Sequence, residues 1–99
     1  MKKTECYIFV VDVNQQYDTE LLKQHLDYCL DWVRVVPGCY LLKSNSSMNE
    51  LYIRFKNALG ENRFFIIKAD LYGDNYVGKL AKERWDIIQN RFNLNYSKK

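Results

Sequence analysis

The chain has 99 residues, which is room for one small domain and not for two independent cores. Hydrophobic residues make up 47% and charged residues 27%, a globular balance that excludes a disordered or low-complexity chain. The net charge is +3, but four of the basic residues, Lys2, Lys3, Lys98 and Lys99, sit at the two ends, and without them basic residues no longer outnumber acidic ones. The body is therefore close to neutral. Counterion release from phosphates needs clustered cations, so overall charge does not mark a nucleic-acid binder; only the basic ends could add salt-sensitive phosphate contact.

Residues 7–13 read YIFVVDV, apolar on both parities until Asp12. A β-branched and aromatic run of that kind fits a central strand covered on both faces. A polar connection follows, and Asp18 is placed to cap a helix whose first turn holds Thr19 and Glu20. Leu22, Leu26, Cys29, Leu30 and Val33 recur as one helical stripe. His25 lies beside that stripe and reads as a boundary residue. Residues 32–36 read WVRVV, where the valines favour an extended strand over a continued helix. Pro37-Gly38 is a turn signal, and CYLLKS at 39–44 completes a hairpin.

Ser47-Met48-Asn49-Glu50 matches a capping box. The stripe behind it is Met48, Leu51, Tyr52, Phe55, Ala58 and Leu59, and Gly60 is placed to end the helix. Residues 63–71 read RFFIIKADL, a strand with apolar side chains on both faces. A loop with Gly73 and Gly78 leads into a last helix over 79–92, striped by Ala81, Trp85, Ile88 and Phe92. The reading is one domain over 1–92 and a flexible tail over 93–99.

The order β-α-β-β-α-β plus a helix predicts an α+β, ferredoxin-like sandwich with an extra C-terminal helix. Two helices cover one sheet face. Apolar residues of the first and fourth strands remain on the other, so either the last helix or a second chain must dry it. The expectation is a homodimer, the commonest closed arrangement for a soluble protein. The first and third strands are expected to run parallel, bringing Lys43 and Ser44 to the end that holds Asp12. Arg63, at the start of the fourth strand, is expected there too, and Asp70 at the opposite end.

The strand ending in Val-Asp, the CYLLKS hairpin, the SxxE helix start and the ENRFFIIKADL strand together resemble the CRISPR-associated Cas-two family and its stand-alone relatives, over about residues 6–71. The resemblance implies a ferredoxin-fold homodimer and an antiviral-defence setting. It implies a role for Asp12 as the catalytic and metal-binding carboxylate of a divalent-cation nuclease, or else a scaffold that touches nucleic acid. The stretch NQQYDTELLK departs from the family's basic helix start, so a scaffold or nucleic-acid-associated protein is the first expectation. A Mg²⁺-dependent endonuclease with an Asp12 pair across the dimer is the alternative. A protein-binding toxin–antitoxin or phage-defence component is a third reading.

One Asp per chain is too few for Mg²⁺, which takes one or two carboxylates plus water. Against that role, Asp12 at a strand end can simply turn the chain and pair with Lys43 or Arg63. Lys2, Lys3, Lys43 and Arg63 are the candidate nucleic-acid contacts. Tyr7, Phe9, Phe64 and Phe65 are candidates for a base-stacking platform, with burial in the core as the simpler reading. Tyr72 and Tyr76 are candidate partner contacts. Cys6, Cys29 and Cys39 match no zinc spacing and read as free thiols of a reducing, cytoplasmic compartment. Cys39 has no adjacent His to activate it. No organic cofactor, signal peptide or membrane span is expected.

Overall fold

A computed structural model describes residues 3–71 and 76–92. In chain order the elements are β1 (Glu5–Val11), α1 (Thr19–Leu26), β2 (Asp31–Val36), β3 (Cys39–Ser44), α2 (Met48–Leu59), β4 (Phe64–Ala69) and α3 (Lys82–Ile87). A π-helical turn over Ile88–Phe92 continues α3. The four strands form one antiparallel sheet in the order β2-β3-β1-β4, so the chain is an α+β protein.

Local chemistry explains most of these elements. The Asp18 carboxylate accepts from the Leu21 N–H at 3.0 Å and caps α1. The capping box at α2 is complete: Ser47 Oγ accepts from the Glu50 N–H at 3.1 Å, and Glu50 Oε1 accepts from the Ser47 N–H at 2.7 Å. Gly60 closes α2 with a φ of 62°. Gly38 turns the β2–β3 hairpin with a φ of 81°, and its carbonyl accepts from the Val11 N–H at 2.8 Å. A Cβ at Gly38 would lie 2.6 Å from Val13 Cγ1 and 2.8 Å from the Val11 carbonyl oxygen, so backbone conformation and space both require glycine.

The α1 stripe does not run on to Val33. The helix ends at Leu26, and the Leu30 N–H is taken by the Lys43 carbonyl at 2.8 Å, which starts the β2–β3 ladder. Leu30 is consequently exposed, and Val33 is buried on the sheet rather than on a helix. The last helix is also shorter than the periodicity predicts, with α3 starting at Lys82. Residues 93–99, expected as a tail, lie outside the described residues.

The direction of β3 needs correcting as well. It runs antiparallel to β1, with Glu5 opposite Ser44 and Val10 opposite Cys39. A right-handed crossover makes β1 and β2 parallel; the tight hairpin then reverses the chain, so β3 must oppose both. Lys43 and Ser44 therefore lie at the far end of the sheet from Asp12.

Two apolar clusters sit on the two faces. Under α1 and α2, Phe9, Leu22, Leu26, Leu42, Leu51 and Phe55 are fully buried, and the Phe9 and Phe55 rings stack at 4.4 Å. On the second face Cys6, Val33, Leu41 and Leu71 pack against Ile88 and Phe92. The C-terminal helix thus covers the β2-β3-β1 part of that face. It leaves bare Val10, Phe65 and Ile67, which are 39%, 60% and 48% exposed. Val10 stands opposite Phe65, and Ile8 opposite Ile67, so the bare strip follows the β1–β4 seam to the sheet edge. No helix among the described residues is long and apolar enough to cross a membrane.

Candidate functional site

Asp12 follows β1 and holds a turn. Its Oδ1 accepts from the Asn14 N–H at 2.9 Å, an Asx turn that redirects the chain toward α1. Its own N–H donates to the Arg63 carbonyl at 3.0 Å, and the Arg63 guanidinium lies 3.7 Å from Oδ2. Gln15 Oε1 accepts from the Arg63 N–H at 2.8 Å, and Asn62 Nδ2 donates to the Gln16 carbonyl at 2.8 Å. Asp12 and Arg63 are together as the sequence predicts, but the arrangement staples two loops. The described residues contain no group of three or more His, Cys, Asp or Glu able to hold a metal ion. With a guanidinium beside its single carboxylate, Asp12 of one chain does not fit the oxygen-rich shell that Mg²⁺ takes.

The other sequence candidates are scattered. Lys3 is exposed near the opposite end of the sheet, where Lys68 pairs with Glu5 at 2.5 Å. The hydrogen bond from Lys68 holds the Glu5 carboxyl below its ordinary value. Lys43 is half-buried and places its ammonium 5.8 Å from the Phe92 ring centroid, a cation–π contact that ties β3 to the C-terminal turn. Lys2 and Tyr72 lie outside the described residues. The aromatic platform does not form: Tyr7 and Phe9 are buried under the helices, Phe64 packs against the same core, and Phe65 points to the other face. Tyr76 packs on Trp85 at 5.9 Å. His25 is half-buried, with Nδ1 2.9 Å from the Leu21 carbonyl oxygen. Cys6, Cys29 and Cys39 are free thiols, and burial pushes all three pKa values up, away from reactivity.

The second face is closed by a specific latch. Arg91 Nε donates to Asp31 Oδ2 at 2.7 Å, while its Nη2 bonds Asp31 Oδ1 and reaches the Trp32 carbonyl at 3.4 Å. Burial pushes the Asp31 carboxyl up, but the hydrogen bond and charge of Arg91 outweigh it, and the group lies below its ordinary value. The Cys6 thiol donates to the Phe92 carbonyl at 3.5 Å.

The sequence reading missed a groove of about 290 Å³ between α1 and the β2–β3 edge. Trp32 and Tyr40 line it together, with ring centroids 6.0 Å apart. Arg34 stands directly across the hairpin from Tyr40. Thr19, Glu20 and Lys23 line it from the helix. Burial raises the Tyr40 pKa, so its hydroxyl is a neutral donor at physiological pH. The signal was present in the chain: Trp32 and Arg34 share one strand parity, and a Pro-Gly hairpin sets Tyr40 against them.

No protein-family model, no curated protein and no solved structure matches the chain.

Proposed function

We propose that the protein is a non-catalytic homodimeric scaffold with a ferredoxin-like fold of the Cas-two kind, able to associate with nucleic acid. One observation carries this reading: the second face stays bare along Val10, Phe65 and Ile67, where the C-terminal helix does not reach. The strip lies at a sheet edge, and an exposed aromatic beside an unpaired strand invites aggregation unless something covers it. A second copy is the occupant that satisfies this economically, because a twofold axis through the β4 edge sets each strip against its own equivalent. The strand order β2-β3-β1-β4 and the two helices on one face support the fold. The engaged state of the Asp12 carboxylate supports a turn-forming role over a catalytic one. Exposed Arg63 and Lys3 supply cations for phosphate contact, and the free thiols agree with a cytoplasmic setting.

Sedimentation of the full chain tests the pairing. The wild type is expected to run as a dimer and Phe65→Lys as a folded monomer with unchanged far-UV circular dichroism. A wild type that remains monomeric at high concentration overturns the proposal. Nucleic-acid association is read separately, by binding in graded salt. Affinity is expected to fall as ionic strength rises, and a flat response removes phosphate contact.

A further inference from the structure

The groove between α1 and the hairpin is unlike the rest of the surface. Two aromatic rings form its floor, and Tyr40 is only 8% exposed. The Tyr40 ring is packed into the core, but its hydroxyl is open to solvent at the groove and forms no hydrogen bond with a described residue. Arg34, directly opposite, is exposed and forms no ion pair or hydrogen bond with any described residue. Lys23 adds a second cation at the wall while bonded to Asp27 at 3.2 Å. Asp27 also accepts from Trp32 Nε1 at 2.9 Å, which fixes the indole at the floor of the groove.

We propose that this groove binds a nucleoside monophosphate, its base against Trp32 and its phosphate on Arg34 and the Tyr40 hydroxyl. The chemistry follows from the lining. Aromatic faces take any base without reading its edge. A guanidinium offers paired donors that match phosphate oxygens, and the free phenol offers one more. Lys23 adds positive charge. Glu20, the acid on the wall, disfavours a bare anion and accepts from ribose hydroxyls or a base amine. At about 290 Å³ the groove is at the small end of ligand sites. Leu22 and Leu26 close its inner wall. The site shares no lining residue with the bare strip or the Asp12 turn, so it does not rest on the dimer reading.

One chemistry here has two sources, a free mononucleotide or the phosphorylated end of a single strand. Titration of a Trp85→Phe protein, in which Trp32 is the remaining indole, distinguishes them. The probes are the four ribonucleoside 5′-monophosphates, adenosine, inorganic phosphate and a 5′-phosphorylated pentanucleotide. Saturable quenching of Trp32 by the monophosphates is expected, with adenosine and phosphate each much weaker. Arg34→Ala is expected to weaken binding about tenfold and Tyr40→Phe about threefold, in line with losing a charged and a neutral hydrogen bond. Tighter binding of the pentanucleotide assigns the site to strand ends; equal or weaker binding assigns it to the free nucleotide. The proposal is overturned if neither kind of probe quenches saturably up to about 10 mM, or if Arg34→Ala binds as the wild type does. Both variants change groove side chains without removing core volume, and circular dichroism checks that they fold.

Discussion

The two faces of the sheet are held in different ways. The face under α1 and α2 is closed by volume: Phe9, Phe55, Leu51 and Leu42 interlock there, and each helix starts with a side-chain cap. The second face is closed by a short α3 without a side-chain cap, a π-helical turn, and an ion pair between residues 60 positions apart. One layer is specified locally and sealed by packing. The other depends on a contact that exists only after the sheet has formed. Its cover is also incomplete, and for that reason it is the face we propose meets a second copy. Local opening should therefore begin at the C-terminal helix, where few groups are fully buried.

Core truncation on the first face gives the largest expected effect. Phe55→Ala removes a stacked, fully buried ring and should cost about 3–5 kcal/mol of global stability, read by denaturant unfolding. The second face should respond differently. Ile88→Ala removes a buried residue and should cost about 2–3 kcal/mol, mostly as local release. Hydrogen exchange should then quicken across 82–92 while β1 and α2 stay protected. Equal loss of protection on both faces would erase the distinction drawn between them.

Smaller effects sharpen it. Ser47→Ala should cost about 1 kcal/mol by breaking the capping box, with no effect on exchange at the C-terminal helix. Arg91→Ala should cost about 1 kcal/mol or less, because its side chain is partly exposed and screened. Acid should mimic it. The folded Asp31 carboxyl lies below its unfolded value, so its contribution is complete above about pH 4–5 and is lost as pH falls through the folded value. Protection at 82–92 in the wild type, corrected for the intrinsic slowing of exchange in acid, should drop as pH falls through the folded value, and Arg91→Ala should flatten the dependence. Asp12→Ala should cost about 0.5–1 kcal/mol, as loss of one turn hydrogen bond and a long ion pair.

The sequence by itself determined what depends on near neighbours. The Ser47–Glu50 box, the Pro37-Gly38 turn and the Leu51–Phe55–Leu59 stripe are written within a few residues of one another, and the structure contains them as read. The meeting of Asp12 with Arg63 was legible too, because β1 and β4 are neighbours of opposite direction. The end of α1 was not. Leu30 and Val33 fit the helical period, but a carbonyl of β3 captured the Leu30 amide, and that competitor is distant in the chain. The direction of β3 was within reach of the sequence, because a tight hairpin after a crossover opposes β3 to β1 and takes Lys43 away from the Asp12 end. Only the tertiary structure decided how far the last helix reaches across the sheet, and so which apolar residues stay bare. Periodicity states which side of an element is greasy; it cannot state how much of a distant surface another element will cover, because that depends on register, crossover and length together.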